Sequence, residues 1–256
     1  MISQAEYLAR FASFQPNPDA RLRLFCFPSA GSGVALLHNW LKGLPPYIHV
    51  CPIQLPGREN RRLETPFNRM DPLVTQLADA LDPYLNLDFA FFGHSLGSLI
   101  AFELARELRR RGTPGPLHLF VSARCAPQIE VSVLPIHELP EPQFISQLRN
   151  RFNAIPDAIL ADEDLLKLFV PVLRADLAIL ETYVYKPEEP LAGSLSVFGG
   201  TVDGTVNRDQ LEAWRLQASG AFKLRMLPGD HFFPKISRSA FLGAISQDLT
   251  TFLIPT

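Results

Sequence analysis

Apolar residues in this chain gather into six short, nearly unbroken runs. They are LRLFCF (22–27), HVCPIQL (49–55), DFAFFG (88–93), LHLFVSA (117–123), SLSVFGG (194–200) and FKLRMLPG (222–229). A strand with one wet face alternates apolar and polar side chains, whereas a strand covered on both faces need not. The runs therefore predict parallel strands sandwiched between helices. Between them the apolar period becomes helical. Leu73, Leu77, Leu81 and Tyr84 share one face behind Asp71 and Pro72, which read as an N-cap and a first helical residue. The segment after residue 95 ends in ELRRRG, where Arg109, Arg110 and Arg111 complement a helix dipole before Gly112. Phe241, Ile245, Leu249 and Phe252 stripe a final helix. Strands alternating with helices predict a doubly wound α/β fold.

One segment breaks the alternation. From Pro127 to Pro190 no strand candidate occurs, while helical patterns do. Phe144, Leu148 and Phe152 form one apolar face, and 162–185 reads as a longer helical stretch that Pro171 should end or kink. The expected organisation is a core of 1–126 and 191–256, with 127–190 inserted as a helical lid over the carboxyl ends of the strands.

Composition narrows the function class. With 256 residues, 47% hydrophobic and 20% charged, the chain suffices for one α/β domain with an insertion. A net charge of -2 gives no global pull toward nucleic acid or anionic lipid. The opening MISQAEYLAR lacks the pattern of a secretory leader, and no apolar run is long enough to span a bilayer. Cys26, Cys51 and Cys125 are odd in number and lack C-x-x-C spacing. They read as buried small hydrophobes in a reducing, cytoplasmic setting.

The candidate chemistry starts at FFGHSLGSLIAFELA (91–105), where Gly93 and Gly97 bracket Ser95 between an apolar run and a helix. That is the layout of a nucleophile elbow, which pushes a serine hydroxyl out of a strained strand-to-helix turn. The five-residue pattern alone is permissive, so its partners decide the matter. A serine needs a base to remove its proton, and the base needs a third group to fix its tautomer. In α/β folds with such an elbow the order is serine, acid, histidine. Of the downstream histidines, His118 lies inside a strand candidate and His137 in the Pro-rich entry to the insertion. His231 follows the last strand directly and is the best-placed base. Asp203, in GGTVDGTV after the fifth strand, fits the acid, with Asp230, Asp209 and Asp176 as weaker candidates. Two backbone amides must then hold the developing oxyanion. Leu96 follows the nucleophile, and Ala30 lies in the glycine-rich loop FPSAGSG (27–33) after the first strand.

With these parts assembled, the chain resembles a type II thioesterase, the stand-alone editing enzyme of polyketide and nonribosomal peptide synthesis, with the α/β-hydrolase fold. The resemblance spans about 22–253 and rests on FPSAGSG (27–33), QLPGRENRR (54–62), FGHSLGSLIAFELA (92–105), LRADLAILETY (173–183), GGTVDGTV (199–206) with Leu211 and Trp214, and GDHFF (229–233). It departs from the family at Gly204, where proline is usual, and at Asp230, where glycine is usual. The resemblance implies a triad of Ser95, Asp203 and His231, with Ala30 and Leu96 supplying the oxyanion hole. It implies acyl groups carried on the phosphopantetheine arm of acyl or peptidyl carrier proteins as substrate. The enzyme itself would need no cofactor or metal. Arg58, Arg61, Arg62, Arg149 and Arg151 are candidates for docking an acidic carrier, a solvated role being equally open for each. The length leaves no room for an attached carrier domain, and a monomer is expected. Three alternatives remain: a medium-chain fatty acyl-carrier or acyl-CoA thioesterase, a lipase-like carboxylesterase, and a non-catalytic acyl-ligand receptor.

Overall fold

In the computed structural model the described residues are 3–12, 14–15, 17–130, 134–152 and 162–252. All six apolar runs form strands: β1 (Leu22–Phe27), β2 (Ile48–Pro52), β3 (Phe89–His94), β4 (His118–Ser122), β5 (Ser194–Gly200) and β6 (Phe222–Leu227). They pair in parallel in the order β2-β1-β3-β4-β5-β6. Successive side chains point to opposite faces. Phe25 and Phe27 of β1 join one core cluster, and Leu24 and Cys26 join the other. Both faces are dry, which is why the runs are continuous rather than alternating.

Helices complete the two outer layers. Helix α1 (Gln4–Ala9) precedes β1 and α2 (Val34–Leu41) follows it. Helices α3 (Met70–Leu81) and α4 (Leu96–Arg110) flank β3. The bulk of one cluster comes from α3 and α4, through Leu73, Leu77, Leu99 and Phe102. Leu37 and Trp40 of α2 pack on the other face with Phe241, Ile245 and Leu249. The α3 start differs from expectation: its N-cap is Arg69, so Asp71 lies inside the first turn and Pro72 one residue further in. Proline is tolerated that early because first-turn amides have no helical acceptor. Arg109, Arg110 and Arg111 do more than face the helix dipole. They pair with Glu188, Glu107 and Asp79.

Between β4 and β5 the described residues contain helices α5 (Glu141–Phe152) and α6 (Glu163–Thr182) and no strand. Asp162 caps α6, accepting from the amides of Asp164 and Leu165. Pro171 does not end this helix. Leu166, Phe169 and Val170 before it, and Leu173 and Leu177 after it, pack in one cluster. That shared burial offsets the hydrogen bond the proline lacks. The side chain of Phe152 lies outside the described residues, while Phe144 and Leu148 are buried in the same cluster. Ala30 of the loop after β1 packs against it. The remaining helices are α7 (Arg208–Glu212), α8 (Phe233–Ile236) and α9 (Arg238–Thr250).

The strand order reverses direction at β1, which has β2 on one side and β3 on the other. In open parallel sheets the crevice beyond the carboxyl ends at such a switch point is where ligands bind. The loops after β1 and β3, FPSAGSG and GHSLG, meet there.

Candidate active site

Ser95 joins β3 to α4 with φ 54° and ψ −114°, a conformation that costs an L-residue roughly 1–3 kcal/mol. The surroundings hold it there. The Ser95 amide donates to the carbonyl of Ser122 at 2.7 Å, locking the turn to β4. The Ser98 hydroxyl lies 2.8 Å from the Gly93 carbonyl and 3.0 Å from that of Ser122, and it accepts from the Ser122 amide at 2.9 Å. The two glycines are needed because the backbones nearly touch. A Cβ on Gly93 would lie 2.1 Å from the Gly97 carbonyl oxygen, and one on Gly97 would lie 2.1 Å from that of Phe27. Sequence spacing, strain and close approach all describe one elbow.

Across the sheet, the loops after β5 and β6 are drawn together. The amide of Thr201 donates to Leu227 at 2.9 Å and that of Val202 to Gly229 at 3.1 Å. This brings Asp203 to His231: its Oδ2 lies 2.9 Å from the imidazole Nδ1. Thr205 ties the pair further. Its amide donates to Asp203 Oδ1 at 2.8 Å, and its hydroxyl lies 2.7 Å from that oxygen and 3.0 Å from His231 Nδ1. The Asp203 carboxylate is fully buried while His231 keeps 22% of its side chain exposed. Burial alone would raise the Asp203 carboxyl. Hydrogen bonds from His231 and Thr205 outweigh that and hold it below the usual carboxylate value, so it is ionised. Asp230, the neighbouring carboxylate, is turned aside and accepts the Phe232 amide at 2.8 Å.

His94, adjacent to Ser95 in the chain, links the two halves. Its ring is fully buried, 5.1 Å from the His231 ring and 4.8 Å from that of Trp40, edge to face in both cases. Its Nδ1 lies 2.9 Å from the Ser122 hydroxyl. Burial, and secondarily the nearby His231, push it well below the usual histidine value, so it is a neutral packing wall. His94 therefore brings the turn that carries Ser95 next to His231. The two other histidines downstream of Ser95 are engaged elsewhere. His118 is buried at the far end of β4, 2.9 Å from Ser196, and His137 pairs with Glu181 at 2.6 Å.

The loop carrying Ala30 forms a turn in which the Ser32 amide donates to the Ser29 carbonyl at 3.1 Å. It is held in part by Arg58, a residue expected to do something else. Arg58 and Arg61, candidates for docking, are only 7% and 2% exposed. Arg58 pairs with Asp176, and Arg61 with Glu64. An exposed docking role is therefore ruled out for both, because desolvated guanidinium groups must be spent on internal carboxylates. Arg62 and Arg149 are exposed, and the side chain of Arg151 lies outside the described residues. Asp176, considered as an alternative acid, is buried on α6 and belongs to this second network. Composition could not place Thr205, Arg58 or Asp176. Their signal lay in the motif blocks GGTVDGTV, QLPGRENRR and LRADLAILETY.

Known proteins share this fold and much of this sequence. A family model described as a thioesterase domain matches residues 22–249. The gramicidin S biosynthesis protein GrsT of Aneurinibacillus migulanus is 42% identical over 96% of this chain and 95% of its own length. The medium-chain S-acyl fatty acid synthase thioesterase of Rattus norvegicus is 36% identical over 85% of this chain and 83% of its own. Among solved structures, the RedJ thioesterase from the prodiginine pathway of Streptomyces coelicolor superposes with a TM-score of 0.83 at 38% identity, covering 92% of this chain and 94% of that one. The type II thioesterase BorB from the borrelidin biosynthetic cluster gives 0.80 at 31%, with the same coverage. A family model matching most of the chain, and relatives more than 30% identical along nearly all of it, place this protein in the thioesterase family, among relatives that are type II thioesterases of antibiotic assembly.

Proposed function

We propose that the chain is a serine thioesterase that removes acyl groups, including mis-primed or stalled ones, from the phosphopantetheine arm of acyl or peptidyl carrier proteins. The observation that carries this reading is the buried, ionised Asp203 bonded to His231, whose ring packs against His94, the residue before Ser95. Asp203 fixes the tautomer with the proton on Nδ1, which leaves Nε2 as the base. His231 takes the Ser95 proton as Oγ attacks the thioester carbonyl. The carbonyl oxygen becomes an anion held by the amides of Leu96 and Ala30. Collapse expels the phosphopantetheine thiolate, which takes the proton from His231. Water, deprotonated by the same imidazole, then cleaves the acyl-enzyme and returns Oγ to its resting state. Every proton is accounted for by one histidine, and the reaction calls for no metal or cofactor from the enzyme. The helices of 127–190 act as a lid, a role supported by the packing of Ala30 into their core. The buried, unpaired cysteines fit a cytoplasmic setting.

The likeness to fatty acid synthase thioesterases favours a second reading, release of medium-chain acyl groups, which uses the same site. A soluble acyl-N-acetylcysteamine series tests both. Wild type should hydrolyse these thioesters and Ser95→Ala should not, and a serine-directed phosphonate should label Ser95. A preference for short acyl groups supports editing, and a preference for medium chains supports the second reading. Undiminished turnover by Ser95→Ala would reject the serine mechanism.

A further inference from the structure

Two of the sequence blocks that mark the family resemblance, QLPGRENRR and LRADLAILETY, contain no residue of the proposed triad or oxyanion hole. In the structure they meet. Arg58 of the first and Asp176 of the second form a bidentate pair, Nη2 to Oδ1 at 2.8 Å and Nη1 to Oδ2 at 3.0 Å. Both are buried, so the pair is costly to desolvate and is unlike a chance surface contact.

What the pair grips is the loop after β1. Asp176 Oδ2 accepts the Gly31 amide at 2.7 Å, and Arg58 Nη1 donates to the Ser32 carbonyl at 3.0 Å. The neighbouring Glu59, itself at φ 48°, accepts the Ala35 amide at 3.2 Å and so fixes the start of α2. Gly31 also packs under α6, where an added Cβ would lie 3.0 Å from Phe169. The Gly31 amide is spent on Asp176 and the Ser32 amide on Ser29, which sets the adjacent Ala30 amide, the proposed oxyanion donor, between fixed neighbours. A short loop anchored at the Gly31 amide by Asp176 and at the Ser32 carbonyl by Arg58 has little freedom to turn.

We propose that Arg58 and Asp176 are positioning residues that aim the Ala30 amide at the thioester oxyanion, so that α6, the helix covering the site, is part of the catalytic geometry. This rests on the proposed role of Ala30 in the oxyanion hole. A misplacement of about 1 Å in such a donor costs roughly 10²-fold in rate. The pair touches neither nucleophile nor base, so its loss should act on the oxyanion alone.

The test uses the full chain with acetyl-N-acetylcysteamine as substrate and an acetyl-sized trifluoromethyl ketone as inhibitor. The ketone adds to Ser95 Oγ and forms a tetrahedral oxyanion. In Asp176→Asn, kcat should fall about 10- to 100-fold with KM changed less than about threefold, and the inhibition constant should rise by the same factor as kcat/KM falls. Asp176→Asn leaves a buried, poorly compensated guanidinium and is at risk of not folding. The double variant Arg58→Met/Asp176→Leu removes both charges, retains the packing and should show the same paired losses. A folded variant of either kind with wild-type kcat and inhibitor affinity, whatever its Tm, overturns the proposal. A fall in kcat without the matching loss of inhibitor affinity does so too. Ser95→Ala run alongside separates the two claims. If it stays active the site reading itself fails; if it is dead, the clamp alone is on trial.

Discussion

Gly97→Ala is the substitution for which the structure gives the firmest number. The added methyl would sit 2.1 Å from the Phe27 carbonyl oxygen and 2.8 Å from that of Pro28, whereas real Cβ atoms stay beyond 3.0 Å. One side must retreat by about 1 Å, and neither is a flexible side chain. Helix α4 carries Ser95 and the Leu96 amide at its start, and Phe27 and Pro28 lead into the loop that carries Ala30. The retreat therefore separates the two proposed oxyanion donors by about 1 Å, for an expected loss of roughly 10²-fold in kcat. Overpacking of this kind costs about 1–3 kcal/mol, from which the better helix propensity of alanine recovers up to about 1. Turnover of acetyl-N-acetylcysteamine, followed by release of its thiol, reads the first effect, and thermal unfolding reads the second. Gly243→Ala serves as the control. Gly243 lies exposed within α9 with nothing within 4 Å of its would-be Cβ, so the change should leave kcat alone and add about 0.5–1 kcal/mol of stability. A folded Gly97→Ala with wild-type kcat would refute the assignment of both donors to this junction.

Other consequences can be measured directly. Asp203→Asn should keep the fold and lose about 10³- to 10⁴-fold in kcat, since the amide favours the wrong imidazole tautomer; near-normal turnover would remove Asp203 from the mechanism. Asp248 tests the far end of the sheet. Burial would raise its carboxyl, but hydrogen bonds from Arg225, Lys223 and Ser196 outweigh that and hold it at about 2. A carboxyl depressed in the folded state stabilises above its unfolded pKa and stops doing so as the pH falls through the folded value. Asp248 should thus contribute about 2 kcal/mol near neutrality, lost between about pH 4 and pH 2. Asp248→Asn should lower stability by at least that amount at pH 7, and urea titrations showing an equal deficit at pH 2 and pH 7 would contradict the reasoning.

Much of the fold was legible because dry parallel strands leave a strong local signature. All six apolar runs are strands, and Ser95, Asp203 and His231 lie where strand ends put them. Those inferences needed only a run of apolar residues and the loop after it. What escaped depended on distant pairing. Arg58 and Asp176 are 118 residues apart, so nothing near Arg58 says that its charge is spent in the interior. Basic residues in a polar segment looked exposed for that reason. Pro171 looked like a helix end because the local rule counts a missing hydrogen bond. It cannot count the apolar cluster that Phe169, Val170 and Leu173 build on both sides of it. Thr205 was hidden by being an ordinary turn residue until the Asp203 loop folded against His231.

The central claim is serine-dependent removal of acyl groups from a carrier protein. Intact-protein mass spectrometry of an acetyl-loaded carrier, incubated with wild type or with Ser95→Ala, tests it most directly. The account predicts that wild type strips the acetyl mass from the phosphopantetheine arm while Ser95→Ala leaves it in place. An acetyl group on the carrier left untouched by wild-type enzyme that does hydrolyse acetyl-N-acetylcysteamine would contradict the editing role. Equal loss with both proteins would contradict the serine mechanism.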